Sequence, residues 1–362
     1  MLCVPTSAHS PEAEICSYKR FKNVYFKFHI IYLPIRYVGR IIPPFSYYVN
    51  RKIEKNFKIL ENKVSRLYNL IRKYIFKERA YMVTLKNDVM SVEISEKGAE
   101  MRKVTVNGEE RLWGGDPAFW TGTAPVMFPI CGGLPDDEFT YKGKKYTLGK
   151  HGFARFMDFE VEEENGLSAT FLLKSNVETL KMYPWEFEFR VIYSLKGSCI
   201  KIDYSVKNLS ADTMYVSPGA HEAYACPEGI EDYDVIFEKK ETLYSCVLDG
   251  NLLSEKRIPI IKDTDTLPLY YSYFAVDALV FKDLKSRFAT LRNRKTGKST
   301  SVSFEGFDYF LLWTKPNAGY ICMEPWTGIQ PRLGSDKDIT KKEGITALKS
   351  GDTLKLTHSI YY

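Results

Sequence analysis

Two of the chain's five histidines stand where a proton-transfer group is useful. His151 lies in KHGFAR (150–155), beside a glycine that permits tight backbone approach, and His221 lies in SPGAHEAY (217–224), after Met214, Tyr215 and Val216 and among turn-forming residues. An imidazole titrates near neutrality, so at a strand end it can give or take a proton. The same settings also suit a hydrogen-bonded structural histidine, and spacing alone leaves both readings open. The third residue is Glu324 in CMEPWTG (322–328), a carboxylate between apolar neighbours. Such flanks would desolvate it and raise its pKa, as a general base near neutral pH requires; the competing reading is a strand-edge glutamate facing water. Trp326, Trp313, Trp120 and Phe128 offer flat apolar faces on which a sugar ring could stack, although core packing is the commoner use of an aromatic. His9, His29 and His358 look peripheral.

The seven cysteines, at positions 3, 16, 131, 199, 226, 246 and 322, are odd in number and widely spaced, with no C-x-x-C and no Cys/His cluster of metal-ligand spacing. They read as buried free thiols in a reducing, cytoplasmic setting, with neither a metal nor a cofactor expected. The elements that must carry the acid–base residues are strands. From Met82 onward, segments such as 91–94, 170–173, 186–193 and 200–206 alternate or cluster β-branched and aromatic residues. Asn107-Gly108, Lys142-Gly143, Asn165-Gly166 and Lys196-Gly197 punctuate them. This pattern predicts one all-β domain over about 81–362, a large antiparallel sandwich or barrel.

Charge divides the chain at the same place. Residues 1–80 hold 16 Lys and Arg against 5 Asp and Glu, a net of +11, and the remaining 282 hold 35 against 40, a net of −5. Nucleic-acid binding needs clustered cations, so none is expected of residues 81–362. With 44% hydrophobic and 27% charged residues, the composition excludes a disordered chain. No apolar run of 18 residues is present, so no transmembrane segment is expected. Within the basic extension, Ile53, Phe57, Leu60, Val64, Leu67, Ile71 and Tyr74 predict an amphipathic helix over about 51–77. It reads either as a partner- or membrane-surface helix, or as a helix docked on its own domain, or as sequence upstream of a native start at Met82.

Together these motifs resemble the aldose 1-epimerase (galactose mutarotase) family, especially its bacterial LacX-like branch. The matching segments are LW at 112–113, WTGTAPVMFPICG at 120–132, YKGKKYTLGKHGFAR at 141–155, PGAH at 218–221, DALVF at 277–281 and EPWTG at 324–328. The resemblance implies a galactose mutarotase-like supersandwich that opens and recloses the ring of a free hexose to exchange its anomers. It implies Glu324 as the base at the anomeric hydroxyl, His221 as the acid at the ring oxygen, His151 as a second histidine on the sugar, and Asp277 as a receiver of sugar hydroxyls.

One position departs from the family pattern. Gly133 stands where an arginine usually follows the glycine after the Phe-Pro strand. Arg155 or Lys150 is the nearest replacement, and a glycine there would leave room for a bulkier or modified sugar. The other readings are a non-catalytic sugar-binding or sensing protein of the same fold, and a hexose-phosphate epimerase, which would want clustered arginines around a phosphate.

Overall fold

The computed structural model describes residues 81–362; the amphipathic helix expected over 51–77 and the rest of the basic extension lie outside the described residues. The described chain is built almost wholly of antiparallel strands, with one short α-helix, Val177–Met182. Nine strands form the largest sheet. In spatial order they are Leu252–Pro268, Tyr233–Asp249, Phe288–Asn293, Ser299–Ser303, Thr353–Tyr361, Cys199–Asn208, Phe187–Lys196, Ser168–Lys174 and Glu160–Glu164.

A second sheet of four carries the residues of interest, in the order Glu222–Ala225, Tyr320–Trp326, Tyr309–Trp313 and Leu279–Lys282. Another four-stranded sheet opens the domain with Met82–Lys86, Met90–Ser95, Met101–Val106 and Glu109–Glu110.

Period-two burial explains why these residues make strands. In Phe187–Lys196 the side chains of Phe187, Phe189, Val191, Tyr193 and Leu195 are buried while their neighbours are half-exposed. Each inward side chain of this kind contributes roughly 1.5–3 kcal/mol by leaving water. The paired strand Cys199–Asn208 does the same with Ile200, Ile202, Tyr204 and Val206. Facing them across one continuous core are Phe310, Leu312, Ile321 and Met323 of the four-stranded sheet. Asn107 and Gly108 both have positive φ (49° and 84°), the left-handed pair that a two-residue hairpin demands.

One histidine departs from expectation. His358 reads as peripheral in the sequence, yet it is fully buried inside the sandwich. Along Thr353–Tyr361 it shares a face with Ile360, which pairs with Ile200 as His358 pairs with Ile202. Its partner is Glu222, whose Oε1 lies 3.0 Å from His358 Nε2.

Candidate active site

Two neighbouring strands deliver the carboxylate and one histidine. Glu222–Ala225 pairs with Tyr320–Trp326 in the register Glu222 to Met323, so His221, just before the strand, falls opposite Glu324. Alternation turns His221 and Glu324 to one face and Glu222 and Met323 to the other. The Ala220 amide donates to the Pro325 carbonyl at 3.0 Å, holding the two chains together beside the pair. His221 Nε2 then lies 3.4 Å from Glu324 Oε2, with both residues buried.

His151 arrives on a loop docked against Phe128. The amides of Phe153 and Ala154 both donate to the Phe128 carbonyl, at 3.0 and 3.2 Å. His151 and Gly152 each have φ of +67°. A Cβ on Gly152 would sit 2.3 Å from the Phe128 carbonyl oxygen, so only glycine fits. The His151 amide donates to the Gly132 carbonyl at 2.8 Å, and the Gly132 amide donates to His151 Nδ1 at 3.2 Å. Because Nδ1 accepts, the neutral ring carries its proton on Nε2. The His151 ring centroid is 5.6 Å from that of His221 and 5.3 Å from that of Trp326, both nearly perpendicular.

Burial sets the protonation of all three groups. It holds the Glu324 carboxyl well above the usual carboxylate range, with Lys150 opposing and Asp277 reinforcing the rise. It pushes His221 down to about 3, and the positive charges of Arg155 and Lys150 act in the same direction. His151 is likewise lowered well below its ordinary value by burial, then by His221, Lys150 and Arg155. Burial thus favours the uncharged form of each group, with the pair's titratable proton on Glu324 and His221 neutral.

The aromatic residues divide into two kinds. Trp120 and Trp313 are half-buried and border His221, with ring centroids 5.1 and 5.7 Å away. Trp326 is only 3% exposed and packs against His151, and Phe128 is a core residue stacked on Phe189 at 4.4 Å. Neither of these two presents an open face, and Trp120 and Trp313 are the half-buried members of the four aromatic candidates. The buried Trp326 indole N–H faces Glu324 and opposes the rise of its pKa.

Asp277 and Lys150 meet as a half-exposed ion pair, Lys150 Nζ lying 3.8 Å from Asp277 Oδ2. Lys150 directly precedes His151, and both charges act on Glu324. Arg155 works from behind, where its Nη2 donates to the Lys150 carbonyl at 3.0 Å and staples the loop that carries His151. Gly133 is not open space. A Cβ there would lie 2.7 Å from Cβ of Asn251, at the tip of the long hairpin formed by Tyr233–Asp249 and Leu252–Pro268. The room expected for a bulkier sugar is thus filled by the hairpin.

The family model for aldose 1-epimerase matches residues 81–360. The plasmid-encoded protein LacX of Lactococcus lactis subsp. lactis is 36% identical over 296 residues, covering 77% of this chain and 98% of that protein. Among solved structures, a galactose mutarotase related enzyme from Lactobacillus acidophilus superposes with a TM-score of 0.75 at 36% identity, covering 78% of this chain and 97% of its own. A galactose mutarotase-like protein from Lactobacillus casei gives 0.74 at 27% identity, covering 78% and 99%.

Proposed function

Because the chain belongs to the aldose 1-epimerase family, we propose that it exchanges the α and β anomers of a free hexose by acid–base ring opening and reclosure. The observation that carries this reading is the cross-strand pair: His221 Nε2 stands 3.4 Å from Glu324 Oε2, with His151 edge-on beside it. Apo spacing of this kind commonly tightens around a bound substrate.

In the reaction, sugar binding first moves the pair's proton from Glu324 to His221, 3.4 Å away; Glu324 then takes the proton of the anomeric hydroxyl as the C1–O5 bond breaks and the aldehyde forms. His221 gives its proton to the departing ring oxygen. Rotation about C1–C2 presents the other carbonyl face, and reclosure returns both protons, leaving the pair's proton count unchanged. The Nε2–H of His151 is a fixed donor for charge growing on the sugar oxygens, oriented by the Gly132 amide. In this reading Asp277 accepts from and Lys150 donates to sugar hydroxyls, while Trp120 and Trp313 offer apolar faces. Arg155 supports this set through the His151 loop.

The test is anomer exchange followed by NMR or polarimetry on glucose and galactose. The wild-type chain accelerates it, and Glu324→Gln lowers the rate by about 10²–10⁴-fold, the range of a lost general acid–base group. A wild type that binds sugar in calorimetry but exchanges no anomers on a broad panel of hexoses would sink the catalytic reading.

A further inference from the structure

The fold assembles a donor set that spacing in the sequence does not reveal. Cys322 lies two residues before Glu324 on the same strand and hence on the same face, opposite Ala223. One ligand atom each from His221, Cys322 and Glu324 lies within 4.8 Å of the others, and all three residues are buried. We propose that His221, Cys322 and Glu324 form a metal site for a zinc-type divalent cation, whose occupation excludes sugar from the acid–base pair.

Three observations support it. The 3.4 Å between His221 Nε2 and Glu324 Oε2 is longer than a closed hydrogen bond. It matches the separation of two light-atom ligands on one tetrahedral ion, about 3.3–3.4 Å for bonds of about 2.0–2.1 Å. The imidazole nitrogen, thiolate and carboxylate together select zinc or cobalt over magnesium or calcium, which want oxygen donors. Finally, His221 Nδ1 is buried with no hydrogen-bond partner. Neither tautomer is fixed by a partner at Nδ1, so the proton can reside there and leave the Nε2 lone pair free for an ion. With three protein ligands, a fourth position remains for water. The thiol and carboxyl protons leave to solvent on binding.

Metal binding itself needs only these three side chains; its inhibitory consequence rests on the acid–base reading of His221 and Glu324. The full chain is titrated with Co²⁺ alone, then with Zn²⁺ as competitor. We expect one equivalent of Co²⁺ to bind with near-ultraviolet thiolate-to-cobalt charge-transfer absorption, which Zn²⁺ abolishes. Cys322→Ala removes that absorption, and Cys322→Ser provides a second chain without this thiol and of nearly the same shape. Metal-free, both variants exchange anomers as the wild type does, and both lose Zn²⁺ inhibition by more than about 100-fold, beyond what loss of an outer-shell partner causes. No thiolate band in the wild type, or a band that persists in both variants, overturns the site. If the wild type shows the band but exchanges no anomers, the metal site stands and the catalytic reading falls.

Discussion

Lys342 is buried beneath the strand ends that carry the site. Its ammonium donates to the Ile329 carbonyl at 2.7 Å and reaches Ser217 Oγ at 3.4 Å, with no carboxylate in bonding distance among the described residues. Burial pushes its pKa down from 10.5 to about 8. Below about pH 8 the folded chain carries the full cost of a buried charge. Between about 8 and 10.5 the unfolded chain still binds the proton that the folded chain has released, so this residue's contribution to stability rises with pH. Urea unfolding of wild type and Lys342→Met at pH 7 and pH 10.5 isolates it from the tyrosines and cysteines that titrate in the same range. The wild type should gain about 3 kcal/mol relative to the variant; a pH-independent difference would refute the assignment. Nothing in the segment KKEG (341–344) distinguishes this lysine from a surface one, because its burial comes from Ser217 and Ile329, distant in sequence. Glu324, His221 and His151 are more legible, since their apolar, Pro and Gly neighbours are local. Which of their surroundings touch them is not.

At the level of elements, the hairpin Tyr233–Asp249 and Leu252–Pro268 brings its tip to the loop that holds His151. The Leu253 amide donates to the Pro331 carbonyl at 2.9 Å and the Leu333 amide to the Leu253 carbonyl at 2.8 Å, pinning the tip in place. Asn251 is thereby set against Gly133, whose neighbour Gly132 supplies the amide that orients His151. A methyl at 133 meets not only the Asn251 Cβ but also its carbonyl oxygen at 3.2 Å, so Gly133→Ala must lift the tip. The expected cost is about 1–3 kcal/mol, as for overpacking elsewhere. Asn251→Gly should restore part of it, giving a coupling of about 0.5–2 kcal/mol in a double-mutant cycle. Additive effects would show that the two residues do not press on each other. This hairpin is hard to see in the sequence for a definite reason. Its register shifts between Ile236 and Glu241, again before Leu243 and Tyr244, and between Cys246 and Leu248, which breaks the alternation. By contrast, Phe187–Lys196 and Cys199–Asn208 pair without a slip, and their period-two pattern is plain in the sequence. The turn Asn107-Gly108 is equally legible, because its residue types alone permit the backbone it adopts.

Across the described domain, the nine-stranded sheet and the four-stranded sheet that carries the site meet through an apolar core crossed by a buried ionisable pair, Glu222 from the smaller sheet and His358 from the larger. The pair sits on the reverse face of the strand whose preceding residue is His221, so it ties the scaffold to the site from behind. Glu222 Oε2 and His358 Nδ1 are buried without a hydrogen-bond partner among the described residues, which leaves the 3.0 Å contact as the pair's main compensation for lost hydration. Desolvation makes such a pair asymmetric to mutation: removing one member strands the other, whereas replacing both with apolar groups removes the desolvation cost along with the attraction. His358→Leu alone should therefore destabilise the fold by about 3–5 kcal/mol. The double variant Glu222→Leu with His358→Leu should lose markedly less than the sum of the two single changes. Denaturant unfolding of the four chains in the cycle measures this directly. Strict additivity would mean that the two side chains do not depend on each other, and that the sandwich is joined here by its apolar packing alone.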